Sequence, residues 1–324
     1  MSHLLLATAF PLAFDTSTKV AQPLVLGVIQ GSFYGLVGLG LVLLYKSNRI
    51  FNFAQAEFGS VAGICAYLGL NGRLFGITWH MPYALACAVG VLVGTLAAVL
   101  AERLVIRPLF DRPKVILVVG TVGVLLLLIA VESLAFPSPS SLPAFNDPHV
   151  GALRGLHDPA LRLGFASYNL QWEQILTLLV LVLLALASVA FFRYSRTGTA
   201  ILAVSQEPVA AQTVGISVGR ISLITWTLAG FLGSVAGILV LAGNALVGPG
   251  VVTGTVLVGG ITAAVIGGVT SLPGAFLGGE IVGLLQTFSS AYFTQFPGAE
   301  TVAVAVVLLL VLLIRPRGLL GSEA

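Results

Sequence analysis

Charge is what this sequence has least of. Its 324 residues hold 15 Lys and Arg and 12 Asp and Glu, so that 8% are charged, against about 25% in an ordinary soluble domain. A deficit of that size excludes a soluble fold of this length. Cysteine is nearly missing as well. Cys65 and Cys87 both sit inside apolar runs and read as small buried hydrophobes, with no disulfide and no metal role. Histidine is sparse, and His80, His149 and His157 fall at no ligand spacing. No nucleophile–base set, phosphate loop or metal cluster can be assembled, so the chain reads as a non-enzyme without a cofactor of its own. Strict alternation of apolar and polar residues is also lacking, which argues against a membrane β-barrel.

What is abundant is apolar sequence: 57% of residues are hydrophobic, and the mean hydropathy is +1.05. Nine stretches read as spans, at residues 20–45, 51–70, 82–101, 115–135, 172–192, 221–242, 251–268, 272–293 and 298–314. Runs of 18 or more apolar residues cross a hydrocarbon core of about 30 Å. The expected fold is therefore all-α, a polytopic transmembrane helix bundle in lipid, forming one domain over residues 1–324. Residues 4–14 add a short apolar run like a signal h-region or an interfacial helix. Residues 136–171, rich in Pro, Ser and Asp, read as an external loop.

Nine spans divide the basic residues unequally. Lys46, Arg49, Arg103, Arg107, Arg112, Lys114, Arg193, Arg196, Arg220, Arg315 and Arg317 fall on one side, and Lys19, Arg73, Arg154 and Arg162 on the other. The positive-inside rule makes the first side cytoplasmic, with the C-terminus inside. The formal charge of +3 is thus a topology signal and implies no nucleic-acid partner.

Two breaks interrupt the apolar pattern. Asn52, Gln55 and Glu57 place polar groups just after the first span, and Asn244 lies in a Gly- and Pro-rich break after the sixth. Polar residues at membrane depth belong on a translocation path or in a structural turn, and Glu57 also suits a helix N-terminus. Both breaks follow a span with spaced glycines, Gly31, Gly35 and Gly38 in one and Gly230, Gly233 and Gly237 in the other. Matching interruptions in two halves are what an inverted repeat with broken helices produces. Glycines four apart, such as Gly233 and Gly237 or Gly279 and Gly283, let helices approach closely, either within one subunit or at a seam between two. Glu280, inside the eighth span, reads as a paired structural acid or a cavity group.

Residues 193–220 form the longest soluble feature on the basic side. Pro208 suits a first helical turn and Gly215 a helix end, with Glu207 just before. The short, mildly apolar helix between them, with Ala211 on its expected outer face, reads as a docking element or an interfacial helix. No loop is large enough for an ATPase.

Four stretches together resemble the LivH-type permeases of branched-chain amino acid ABC importers, over residues of about 20 to 321. They are Asn52–Glu57, which is similar to the family's Asn-Phe-Ala-His-Gly-Glu, Arg193–Gly198 with Gly215-Ile216, Thr262–Ala275, and Arg315–Gly321. The resemblance implies a bacterial inner-membrane permease paired with a second permease subunit, alike or different. It also implies two cytoplasmic ATPases carrying the ATP-Mg, and an extracytoplasmic solute-binding protein. The helix around Glu207, Ala211 and Gly215 would be the element that couples to an ATPase. Three positions depart from the pattern: Gln55-Ala56 replaces His-Gly, Glu280 replaces an aliphatic residue, and Gln286 stands where Glu is common. A more polar path would suit urea or short amides, so that importer class stays open beside branched-chain amino acids. An ion-coupled secondary transporter is a third class, for which Glu57 and Glu280 are the candidate ion carriers.

Overall fold

A computed structural model describes residues 18–70, 81–135, 161–163, 168–170, 172–244 and 248–321. The apolar run at 4–14, most of the loop at 136–171, and His80, His149 and His157 lie outside the described residues. Among those described, eleven α-helices follow in order. They are α1 (Thr18–Asn48), α2 (Glu57–Leu70), α3 (Tyr83–Ala101), α4 (Lys114–Ala135), α5 (Trp172–Tyr194), α6 (Arg196–Gln206), α7 (Pro208–Thr213), α8 (Val218–Asn244), α9 (Val258–Gly267), α10 (Leu272–Tyr292) and α11 (Ala299–Ile314). A wider π-helical turn extends α3 over Glu102–Ile106, and another leads into α9 over Thr253–Leu257. Before α5, β1 (Leu161–Leu163) and β2 (Tyr168–Leu170) pair antiparallel, with Arg162 opposite Asn169. The fold is an all-α polytopic membrane bundle.

Five helical segments are long and apolar enough to cross a membrane: Val20–Asn48, Tyr83–Leu109, Lys114–Leu134, Gln174–Tyr194 and Val218–Ala242. The stretch expected to span at 51–70 differs. Residues 51–56 are not helical, and α2 has 14 residues. At 1.5 Å per residue it reaches roughly 21 Å, short of a hydrocarbon core. The stretch expected at 251–268 is helical from residue 251 to 267, through the π-helical turn and α9, and like α2 it follows a break.

The long helices divide into a centre and a rim. Of the most apolar 18 residues, 72% are buried in α1 and 67% in α8, against 22% in both α4 and α5. Leu126, Leu127, Leu183, Leu186, Leu309 and Leu313 point outward from the rim helices, as lipid-facing side chains should. The centre is interlocked. α1 lies along α10 and also touches α9, while α8 lies along α3 and also touches α2. Each long central helix therefore packs on helices of the opposite half.

Glycine makes this possible. A Cβ at Gly31 would come within 2.7 Å of the Glu280 Cα, and one at Gly59 within 2.8 Å of the Gly237 Cα. Gly38 faces the Gly260 carbonyl in the same way. The four-residue glycine spacing thus serves contact inside one chain, where close packing drives helix association in lipid.

Candidate functional site

The first break is built by short local bonds. α1 ends at Arg49, whose backbone is left-handed at φ 56° and whose N–H reaches the Tyr45 carbonyl at 2.8 Å. Asn52 Oδ1 then accepts from the Ala54 N–H at 3.0 Å, the Asx turn that Asn commonly makes. Gln55 and Glu57 continue the turn through N–H bonds to Asn52 and Ala54 carbonyls at 3.2 and 3.1 Å. α2 starts there.

This turn is buried in the bundle. Asn52, Gln55 and Glu57 are each 0% exposed. The Gln55 amide donates to the Ala229 carbonyl of α8 at 2.8 Å, and the Phe53 N–H donates to Thr121 Oγ of α4 at 3.3 Å. Gln55 passes between two glycines. A Cβ at Gly40 of α1 would meet the Gln55 Cδ at 2.9 Å, and one at Gly233 of α8 would meet its backbone oxygen at 2.8 Å. The glycines and the glutamine are one arrangement.

The second break comes to the same place. Gly250 turns at φ +69°, and its N–H donates to Glu57 Oε1 at 3.2 Å and to Glu132 Oε2 of α4 at 3.3 Å. The Thr253 hydroxyl, opening the π-helical turn, donates to Glu57 Oε2. π-turns of this kind recur at functional sites. Glu132 is 4% exposed, and its Oε1 has no protein partner. Two ionised carboxylates converging on one donor would repel strongly at low dielectric. Asn244 is the last residue of α8 at the other side of this break, and its side chain lies outside the described residues.

Residues 193–220 fold as two helices, where the sequence indicated one. Ser195 Oγ accepts from the Gly198 N–H at 2.8 Å and starts α6, and a Cβ at Gly198 would sit 2.7 Å from Phe192 Cα. Glu207 is the extended residue before α7, Pro208 occupies its first turn, and Gly215 closes it at φ +87°. The Ile216 N–H reaches the Ala211 carbonyl at 3.0 Å, the six-to-one bond of a glycine-terminated helix. One expectation is corrected. Ala211 is 4% exposed and faces the bundle, because the α7 turn rolls its small residue inward; the outward apolar side chains are Val209 and Val214, at 70% and 75%.

The last two motifs meet each other. Gly268, at φ +108°, ends α9, and Ser271 Oγ accepts from the Gly274 N–H at 3.1 Å to begin α10. The tail returns to this corner, where Leu319 and Leu320 N–H groups donate to the Ile266 and Gly267 carbonyls at 2.8 and 3.0 Å. They satisfy carbonyls that every helix C-terminus leaves without partners.

A model of the family described as "Branched-chain amino acid transport system / permease component" matches residues 24–314, which takes in both breaks and the 193–220 loop. The chain belongs to this permease family. Among its relatives is the high-affinity branched-chain amino acid transport permease LivH of Salmonella typhimurium, 29% identical over 91% of this chain and 93% of the relative. BraD of Pseudomonas aeruginosa, named for the same transport, is 27% identical over 93% and 95%. A probable LivH of Methanocaldococcus jannaschii is 28% identical over 91% of both chains. A permease component is a transport subunit and not an enzyme.

Within the permease, Glu280 is held across the α1–α10 contact, where Ser32 Oγ donates to its Oε1 at 2.7 Å. Further along the same contact the Tyr34 hydroxyl donates to Gln286 Oε1 at 2.6 Å and accepts from Gln30 at 2.6 Å. Two of the positions that depart from the family pattern are therefore paired. Glu132 is the residue that reading the sequence missed. Its signal was available, an acid inside an apolar run, where an ionisable side chain must find a partner.

Proposed function

We propose that this permease subunit imports branched-chain or similar hydrophobic amino acids in an ATP-driven importer. It takes solute from an extracytoplasmic binding protein and works with a second permease subunit and two cytoplasmic ATPases that hold the ATP-Mg. The observation that carries this reading is α7. A short helix begun by Pro208 and closed by Gly215 presents Val209 and Val214 outward on the end of the bundle where Lys46, Arg49 and Lys114 lie. Exposed apolar side chains on a fixed helix fit a protein contact, here an ATPase. The basic end is then cytoplasmic, as is the C-terminus. The proposed translocation route runs beside the meeting of the two breaks, with Asn52, Gln55 and Asn244 shaping it and Glu57 at its centre. Closure of the ATPases would shift the bundle between outward- and inward-open populations. The same family fold would serve urea or a short amide, and the ladder of half-buried Gln30 and Gln286 on buried Tyr34 favours that second reading because it offers amide-complementary groups.

The test is uptake in proteoliposomes containing the permease pair, the ATPases and the binding protein. Labelled leucine and labelled urea are compared at saturating binding protein. Leucine uptake that depends on ATP, and is lost in Val209→Asp with ATPase association, supports the first reading. ATP-dependent urea uptake without leucine uptake selects the second. Transport by this chain alone, driven by an ion gradient, would sink both.

A further inference from the structure

The basic end of the bundle contains a cavity of about 410 Å³, remote from the Glu57 cluster. The last turn of α1, the connection before α4, α6, α7 and the first turn of α8 wall it. Lys46, Arg49 and Lys114 line it against a single acid, Asp111. Among the described residues neither lysine has a hydrogen bond or an ion pair, and Arg49 commits one N–H to the Ser205 carbonyl at 2.6 Å. Arg107 is close by, since a Cβ on the lining residue Gly219 would meet its Nη2 at 2.7 Å, but it faces the buried Glu102 carboxyl, which also lies beside the lining residue Ser222, so it is not one of the free cations.

Two further features point the same way. Val218 and Gly219 line the cavity and open α8, so their N–H groups have no acceptor within the helix. A helix N-terminus of this kind favours an anion. Asn48 also lines the cavity, is 7% exposed, and leaves its Oδ1 without a partner while Nδ2 donates to Ser222 Oγ at 3.2 Å. Rotated by half a turn, the amide takes Ser222 as donor to Oδ1 and leaves Nδ2 as an unpaired donor in the wall of the cavity.

We propose that this cavity binds a small phosphate-bearing anion. Unpaired cations, free helix N–H groups and a reversible buried amide are complementary to phosphate oxygens and leave little for a neutral solute. The group could come from a soluble phosphate ester or from the headgroup of an anionic lipid. Gln206, Pro208 and Gln212 share the wall, so a bound phosphate would tie the α6–α7 loop to α1 and α8. The inference is independent of the transported solute.

The experiment uses the full chain in phosphatidylcholine nanodiscs, with thermal unfolding followed during titration with pyrophosphate and with sodium chloride of equal ionic strength. A saturable rise in Tm that chloride does not reproduce is expected. Asn48→Asp, which sets a negative charge in the lining, should weaken the response at least tenfold. Lys114→Gln, at an exposed position that folding tolerates, should weaken it at least threefold. In nanodiscs containing phosphatidylglycerol, a lipid source predicts a raised starting Tm, no added effect of pyrophosphate, and loss of the increment in both variants. A soluble source predicts the same titration in both lipids. No saturable response in either lipid, or an equal response in Lys114→Gln, overturns the proposal.

Discussion

Glu57 on α2 accepts a hydrogen bond from the Gly250 N–H at 3.2 Å, across 193 residues of sequence. One carboxyl thus joins the start of a short helix in the first half of the chain to the break before residue 251 in the second. Any relative movement of the two halves must stretch, keep or exchange this bond and its neighbour from Thr253.

That geometry sets the first prediction. Thr253→Val removes the donor to Glu57 Oε2 while keeping the shape of the side chain. A buried acceptor left without its partner costs about 1–3 kcal/mol. Thermal unfolding in detergent should show a clear loss of stability, whereas Glu132→Gln, which keeps the shape of the side chain and a hydrogen-bonding end, should remain within about 1 kcal/mol of the parent. Equal effects of the two changes would show that the cluster is not organised around Glu57.

Gln55 supplies the second. Gln55→Leu removes the amide bond to the Ala229 carbonyl, which keeps only its bond within α8, and crowds a branched side chain between Gly40 and Gly233. The loss should be about 1–3 kcal/mol, visible first as a smaller yield of folded protein. Asn52→Leu should act alike through the lost Asx turn. Normal folding yield with slowed uptake in both variants would move these residues from the scaffold of the route to its surface.

Helix contacts give a paired comparison. Gly59→Ala drives a methyl against the Gly233 carbonyl and Gly237 Cα, at 2.7 and 2.8 Å, whereas nothing lies within 4 Å of a Cβ at Gly123. Overpacking of that kind costs about 1–3 kcal/mol. Gly59→Ala should therefore lower the unfolding temperature, and Gly123→Ala should leave it unchanged or raise it, since Ala is the better helix former. Two equal responses would break the link between these glycines and close packing.

Orientation is tested by labelling single cysteines in a background without Cys65 and Cys87. Thr213 and Phe296 are both exposed, Phe296 at 60%. A thiol reagent that cannot cross the membrane should label Phe296→Cys in intact cells and Thr213→Cys only after permeabilisation. The opposite pattern inverts the proposed topology.

Local signals carried much of the fold into view. Pro208 and Gly215 bound α7 where their backbone preferences place them, and Ser271 begins α10 as a cap should. The glycine spacing announced close helix contacts, but their partners lie in the other half of the chain, so no window of sequence displays them. Residues 51–56 look apolar enough to extend a span. They do not, because Asn52 prefers its own turn and Gln55 bonds to α8, a tertiary choice that overrides hydropathy. α6 was hidden by Thr197, Gly198 and Thr199, all poor helix formers, although Ser195 three residues before Gly198 was a usable cap signal. At the candidate site Glu57 stood out by its position after a break. Glu132 did not, because its meaning depends on Gly250, which the chain brings to it from 118 residues away.

The α1–α10 contact has a consequence for biosynthesis. Ser32 and Glu280 are 248 residues apart, and at 5–20 residues per second a ribosome needs roughly 12–50 s to travel between them. For that interval the glycine face of the first helix is in the bilayer without its partner, and whatever lipid or insertase covers it must later give way. The Leu319 and Leu320 bonds to α9 form later still. α1 therefore waits in the membrane for α10, and this side of the bundle closes only when late-made segments reach it.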